Sequence, residues 1–370
     1  MEWSSSWNNC KLEDIADIVG GGTPRTEVDS YWDGDIKWYT PSEIGKSKYI
    51  LDSERHITED GLNNSSAKLL PKYTILLSSR ATVGEISIAL TECSTNQGFQ
   101  SLITKKNTDN DFIYYLISTM KNEFLRRSSG STFLEISKNE IKRIKINIPT
   151  LDEQKKIAKF FSSIDNKIEL LEKKHQYYQD FKKYLMQQIF AQKLRFADFT
   201  EEWEVKKLGD IVEFLDNKRI PLNEDTRNNQ KDIYPYYGAS GIIDYVEDYI
   251  FDEELILIGE DGTIDVNLAS GKYWVSNHAH VLRANDNINQ YYLTEFLKTV
   301  NFEIYNTGTI QPKLNKETCK TIPIRLPNSL EEQNLIANCF FEVNTKMGIF
   351  QNQIFLTKKF KEGLLQQMFI

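Results

Sequence analysis

At 370 residues, 40 % apolar and 26 % charged, the chain is long enough for two ordinary domains and too apolar to be disordered. Its net charge of −8 argues against a free-standing nucleic-acid binder, which would carry a basic excess. No apolar run approaches the ~18 residues of a membrane span. The start Met1-Glu2-Trp3-Ser4 lacks the regions of a signal peptide, and four scattered cysteines (Cys10, Cys93, Cys319, Cys339) read as reduced, so a cytoplasmic protein is expected.

In chain order, residues 1–150 read as a first globular domain of mixed α/β character. Trp7-x3-Lys11-Leu12-x2-Ile15 opens it, and Gly20-Gly21-Gly22-Thr23-Pro24 reads as a turn rather than a phosphate cradle. Residues 73–78 are a β-type run closed by the turn Arg80-Ala81-Thr82-Val83-Gly84, and residues 112–124 are amphipathic and helical. Gly130-Ser131-Thr132 and Ile146-Asn147-Ile148-Pro149 end the domain. Residues 151–196 read as a first spacer helix. Its seam runs through Ile157, Phe161, Ile164, Ile168, Leu171, His175, Tyr178, Leu185 and Ile189, mostly in alternating steps of four and three, the spacing of a coiled coil.

Residues 197–327 repeat the first plan. Trp203-x3-Lys207-Leu208-x2-Ile211 opens this second domain, and residues 234–241 form an aromatic, glycine-rich loop. A β-type run at 255–258 leads into the turn Glu260-Asp261-Gly262, residues 291–302 look helical, and Gly308-Thr309-Ile310 and Ile324-Arg325-Leu326-Pro327 close the copy. Residues 328–370 read as a second spacer helix with Ile336, Phe340, Val343, Met347, Phe350, Ile354, Leu364 and Met368 on its seam. The copies lie 196 residues apart at their starts, 178 near their ends and 179 along the helices. About 18 extra residues therefore lie in the first domain, between Val19 and Gly84.

A helix of about forty residues is roughly 60 Å long at 1.5 Å per residue, and its apolar stripe needs a partner. The other spacer helix is the expected one, in preference to the domain beside it, because the copies match in length. They even match in a defect, where Phe181-Lys182 corresponds to Phe360-Lys361. There a lysine falls on the seam, and the preceding phenylalanine is expected to take over the packing.

Signatures of catalysis are mostly missing. Gly45-Lys46-Ser47 has the tail of a phosphate-binding loop but Thr40 where its first glycine belongs. No Asn/Asp-Pro-Pro-aromatic tetrapeptide of an adenine methyltransferase is present. Glu140-Ile141-Lys142 and Glu204-Val205-Lys206 match only the tail of a metal-dependent nuclease motif. His278-x-His280 would place both rings on one face of a strand, yet no third or fourth ligand is evident, so no metal site is expected. His175, on the helix seam, reads as structural. Two duplicated domains without a catalytic constellation point to binding.

The architecture resembles the specificity subunit of a type I restriction–modification system along essentially its whole length. The resemblance rests on Leu151-x-Glu153-Gln154-x2-Ile157-Ala158 with Asp165, and on Leu330-x-Glu332-Gln333-x2-Ile336-Ala337 with Asn344. The helix ends Gln187-Gln188-Ile189-Phe190 and Gln366-Gln367-Met368-Phe369 extend it. The change from Asp165 to Asn344 is not expected to matter alone. The resemblance implies an α/β (α+β) protein with two pseudo-symmetric target recognition domains and two long helices paired as an antiparallel coiled coil. It implies a non-catalytic chain whose domains each read one half of a bipartite double-stranded DNA target, the helices setting the unread gap. It further implies two methyltransferase subunits bringing S-adenosylmethionine, and two restriction/translocase subunits using ATP and magnesium. The alternatives are the specificity component of a related two-subunit restriction enzyme, a duplicated protein-binding scaffold, and an enzyme with an unrecognised site.

Base readout needs donors and acceptors on loops or strand ends. In the first domain Ser79, Arg80, Thr82, Asn96 and Gln97 fit that chemistry. In the second, Lys218, Arg219, Ser240, Asp261, Asn277, His278, Gln311 and Lys313 do. The second domain is acidic, with 13 Lys+Arg against 22 Asp+Glu over residues 199–327, so any DNA contact there must come from a local patch, or the partner subunits must supply most of the phosphate-binding charge.

Overall fold

The structure, a computed structural model, describes residues 7–130, 134–222 and 233–369. The N-terminal tetrapeptide and the Ser131-Thr132 part of the loop repeat lie outside them. The chain divides into two compact units, residues 1–170 with 353–370, and residues 171–352. Each unit thus combines one globular domain with a segment of both long helices.

In the first unit a five-stranded sheet runs in the order Ala16–Gly20, Gln100–Thr104, Ile75–Leu77, Ile86–Ala89, Tyr49–Ile50. Ile75-Leu76-Leu77 is continuously apolar because both its faces are covered: Ile75 and Leu77 join the main core, and Leu76 joins a second cluster with Tyr39 and Phe99. A three-stranded sheet is built from Arg55–Ile57, Trp32–Tyr39 and Cys93–Thr95. The glycine run packs against the last of these. A Cβ at Gly21 would lie 2.1 Å from the Asn96 carbonyl oxygen, and Gly22 N–H donates to the Thr95 carbonyl at 2.8 Å. Strand Asn8–Lys11 pairs antiparallel with Lys145–Ile148 and brings the two ends of the domain together.

The second unit follows the same plan. Val212–Phe214, Ala279–Ala284, Leu255–Gly259 and Val266–Ala269 form one sheet, and Gly241–Val246, Tyr234–Gly238, Lys272–Val275 and Phe251–Asp252 the other. Glu204–Lys207 pairs with Pro323–Leu326, as its counterpart does. Register locates the extra residues of the first domain. Trp38 and Tyr236, paired with Ser94 and Trp274, are 198 apart, whereas Ile75 and Ile256, paired with Leu102 and Leu282, are 181 apart. The difference of 17 falls between positions 38 and 75, where the first unit folds Tyr49–Ile50, Arg55–Ile57 and Glu59–Asn63.

The long helices span Leu151–Phe190 and Leu330–Phe369, 40 residues each. The first therefore stops short of residue 196. Gln192 adopts φ 56°, its N–H donates to Ile189 and the Lys193 N–H donates back to Gln188, a left-handed cap that turns the chain out of the helix. The second starts at Leu330 rather than 328, with the Ser329 hydroxyl accepting from the Glu332 N–H at 3.4 Å.

Within each unit the two helical segments run antiparallel. In the first, Phe161 faces Phe369 at 6.1 Å while Asp165 meets Lys361. In the second, Phe190 faces Phe340 at 5.5 Å and Tyr178 faces Phe350 at 5.4 Å. Packing is not confined to the helix pair. Ile157, Phe161, Ile164 and Ile168 belong to the same core as Phe112 and Tyr115, and Leu185, Ile189, Phe190, Ile336, Phe340 and Val343 to the same core as Tyr292 and Leu293. Each helix stripe is covered by both a helix and a domain, so the two modes weighed from sequence operate together.

The motif glutamines explain why domain and helix are joined so similarly twice. Gln154 is 1 % exposed, accepts from the Asp109 N–H at 2.9 Å and donates to the Pro149 carbonyl at 2.9 Å. Gln333, also 1 % exposed, does the same with Asn289 at 2.8 Å and Pro327 at 3.0 Å. Each pins the first turn of its long helix to the N-cap of a domain helix, since Asp109 caps Asn110–Ser118 and Asn289 caps Gln290–Leu297. One expectation fails at the seam defect. Phe181 and Phe360 are 38 % and 58 % exposed. The lysines themselves occupy the seam because their methylenes pack while their ammonium groups reach carboxylates, Lys182 at 2.7 Å and Lys361 at 2.6 Å.

Candidate nucleic-acid interface

At the end of the strand Ile75–Leu77 the chain enters a turn in which Ala81 (φ 65°) and Gly84 (φ 89°) are left-handed. Ser79 is fully buried, its N–H donating to Gly98 at 2.8 Å and its carbonyl accepting from Ile136 at 3.0 Å. It locks three loops together and cannot present its hydroxyl to a base. Arg80 is exposed, but its Nε and Nη2 donate to Glu135 at 3.1 and 2.6 Å. Thr82 bonds the Ser78 hydroxyl at 3.0 Å, Asn96 accepts from the Gly98 N–H at 2.8 Å, and Gln97 accepts from Thr23 at 2.5 Å. These side chains therefore sit on one cluster of loops.

The second unit builds the corresponding cluster through the same backbone bonds. Glu260 N–H donates to His278 at 2.8 Å and Leu314 N–H donates to Glu260 at 2.8 Å, in the places of the Ser79 bonds. Asp261 and Lys313 form the bridge that Arg80 and Glu135 form in the first unit, with Lys313 Nζ 3.0 Å from Asp261. The polarity is reversed: the cation stands on the first loop in one unit and on the last loop in the other. Lys218, Ser240, Asn277, His278 and Gln311 are exposed on the surrounding turns.

Arg219 is a correction. Its guanidinium donates to Glu260 at 3.0 Å and to the Asn277 and Ala279 carbonyls at 3.1 and 2.7 Å, so it holds the cluster together from inside. The histidines also separate. His278 is exposed on the turn before the strand, 3.8 Å from Asp261, whereas His280 is 1 % exposed, with Nδ1 2.9 Å from Asp216 and Nε2 2.7 Å from the Leu314 carbonyl. Burial pushes Asp216 up, but its bonds to His280 and the Val281 N–H outweigh this and hold it below the usual carboxylate range. Burial also pushes the Cys93 and Cys319 thiols up to about 12, which leaves them protonated and unreactive. Glu135 and Asp216 were missed from sequence, since nothing local marks a carboxylate whose partner lies tens of residues away.

The α/β frame thus occurs twice and repeats one loop cluster with different side chains. A family model for the type I restriction modification DNA specificity domain matches residues 4–177 and 200–354, and the chain belongs to that family. The MjaIX specificity subunit of Methanocaldococcus jannaschii is 29 % identical over 98 % of this chain and 92 % of its own length. The EcoprrI specificity subunit of Escherichia coli is 25 % identical over 88 % and 84 %. The crystal structure of the S subunit from M. genitalium shares the fold over 100 % of this chain and 98 % of that one, with a TM-score of 0.69 at 17 % identity. The HsdS subunit from Thermoanaerobacter tengcongensis gives 0.52 at 15 % identity over 100 % and 98 %. Among the described residues no helix is long and apolar enough to cross a membrane.

Proposed function

We infer that this chain is the sequence-reading subunit of a cytoplasmic type I restriction–modification complex, itself without catalytic activity. Each globular domain reads one half of a bipartite double-stranded DNA target, and the paired helices set the unread gap. The observation that carries this reading is the repeated loop cluster, built on the same backbone bonds in both units and dressed with different side chains. A common frame with divergent edges is what two half-sites of different sequence require. In the first domain Arg80, Thr82, Asn96 and Gln97 are the reading candidates. In the second they are Lys218, Ser240, Asp261, Asn277, His278, Gln311 and Lys313.

Two methyltransferase subunits bind alongside, supply S-adenosylmethionine and modify an adenine in each half-site. Two restriction/translocase subunits use ATP and magnesium to cut unmethylated DNA. The partners also supply phosphate contacts that a chain of net charge −8 lacks. Methylome sequencing of a host expressing the chain with its methyltransferase partner tests the reading. The expected product is one split adenine-methylated motif; an undivided motif, or none with an assembled complex, overturns it.

A further inference from the structure

The seam lysines are equivalent, yet the carboxylates opposite them come from different elements. In the first unit Lys361 Nζ lies 2.6 Å from Asp165 on the first long helix, and the Tyr115 hydroxyl donates to the other oxygen of that carboxylate at 2.6 Å. Asp165 stands eleven residues after Gln154, and the residue eleven after Gln333 is Asn344, which carries no charge. The second unit finds its carboxylate elsewhere. Tyr115 stands six residues after the N-cap Asp109, and the residue six after the N-cap Asn289 is Glu295. Glu295 is 1 % exposed, lies 2.7 Å from Lys182 and 2.8 Å from Lys298, and accepts from Asn344 Nδ2 at 3.1 Å. Asn344 also donates to the Tyr291 hydroxyl at 2.6 Å.

Each unit therefore holds one seam lysine, one carboxylate facing it and one neutral partner bonded to that carboxylate. The roles of helix and domain are exchanged between units: Asp on the helix with Tyr on the domain, or Asn on the helix with Glu on the domain. A second cation stands by in both, Lys298 in the second unit and Lys48 in the first, the latter 3.0 Å from Asp111 and from the Tyr115 hydroxyl.

We propose that this exchange is a matching code deciding which recognition domain a given pair of helix segments accepts. A domain bearing glutamate at this position, seated on a helix bearing aspartate, would set two carboxylates in contact beside the seam lysine, with only Lys298, which travels with the domain, to share them. A domain bearing tyrosine on a helix bearing asparagine would leave the seam lysine desolvated and without its carboxylate. Both mismatches are costly, the first because it sets like charges in contact and the second because it strands a buried charge. Residues 295 and 344 are thus positioning residues, and the two domains are interchangeable only if the helix residue travels with them.

The test is a cycle of substitutions that change charge with almost no change in shape, made in the full chain. Glu295→Gln, which leaves Lys182 and Lys298 without their carboxylate, and Asn344→Asp, which puts a carboxylate oxygen where an amide now donates to Glu295 at 3.1 Å, should each lower the melting temperature of the second unit by roughly 5–15 °C. The double variant E295Q/N344D returns one carboxylate to the helix, as in the first unit, and should recover most of the loss. It should also restore methylation by the complex assembled with the methyltransferase subunits. A double variant as damaged as the two singles combined, or an E295Q protein that melts like the parent, overturns the proposal. The melting arm does not depend on DNA reading, so its failure is distinct from failure of the proposed function.

Discussion

The two units solve the same packing problem with different charges, and the comparison separates what the frame demands from what each copy has chosen. Gln154 and Gln333 make the same bonds to the same backbone positions, so that contact is dictated by the frame. The seam carboxylate and the loop ion pair keep their net charge while moving it from one element to another. Identical geometry marks what the frame requires of both copies, whereas exchanged polarity shows that the frame requires the pair and leaves its orientation to each copy. A residue compared only with its own counterpart would look unconserved in function, although the pair it belongs to is kept.

The largest effect should come from breaking the match wholesale. Residues 197–329 grafted in place of 1–150 would seat a glutamate-bearing domain on the helix that carries Asp165. The graft should fail to give a methylating complex, and the same graft with Asp165→Asn should methylate a target in which the second half-site recurs. Activity of both grafts alike would remove the matching code while leaving half-site reading intact.

Next in size are the glutamine clamps, where the units are predicted to agree. Gln154→Ala and Gln333→Ala each strand a buried backbone N–H and a carbonyl, a loss of roughly 2–4 kcal/mol. Denaturant unfolding that found one substitution severe and the other neutral would show that the frame is not shared as the bonds suggest.

A smaller effect distinguishes the second unit by pH. Burial pushes Glu295 up, but the ammonium groups of Lys298 and Lys182 outweigh it, and its carboxyl is held below the ordinary 4.5. Burial dominates on Lys182, which is pushed down from the lysine range despite its bond to Glu295. A carboxyl lowered in the folded state stabilises fully above its unfolded value, and that stability is lost as pH falls through the folded one. Unfolding midpoints should therefore fall on acidification below about pH 4.5, less steeply in E295Q than in the parent. Equal slopes would show that Glu295 is not held ionised by its lysines.

How much of this was legible in the sequence depended on the range of the forces involved. The helices were readable to within a few residues because a 3.5-residue seam is a repeating local signal, and the duplication showed through Trp7/Trp203 and Gln154/Gln333. The true helix end was not, because a glutamine at φ 56° carries no sequence mark of the kind glycine gives. Phe181 looked like core by its apolarity, whereas Lys182 took the seam because Glu295, 113 residues away, could meet it. Arg219 looked like a DNA reader for the same reason: its carboxylate and carbonyl partners are invisible until the chain is folded. The partners of Asn344, Tyr291 and Glu295, likewise stand on another element and show only once the chain is folded.

The smallest stability effect should belong to the loop ion pair, and there its smallness is useful. Arg80 and Glu135 are 45 % and 38 % exposed, and Asp261 and Lys313 35 % and 48 %. Exposed pairs of this kind contribute about 0–1 kcal/mol. Giving the first unit the polarity of the second, as R80D/E135K, keeps a pair in place and should shift the unfolding free energy by less than about 1 kcal/mol. A change in the methylated motif could then not be ascribed to a damaged domain. It should be confined to the half read by the first unit, because an arginine able to grip guanine with two bonds has been replaced by an acceptor. A motif altered in the other half would show that the two units do not read independently, and an unaltered motif would remove Arg80 from the residues that read bases.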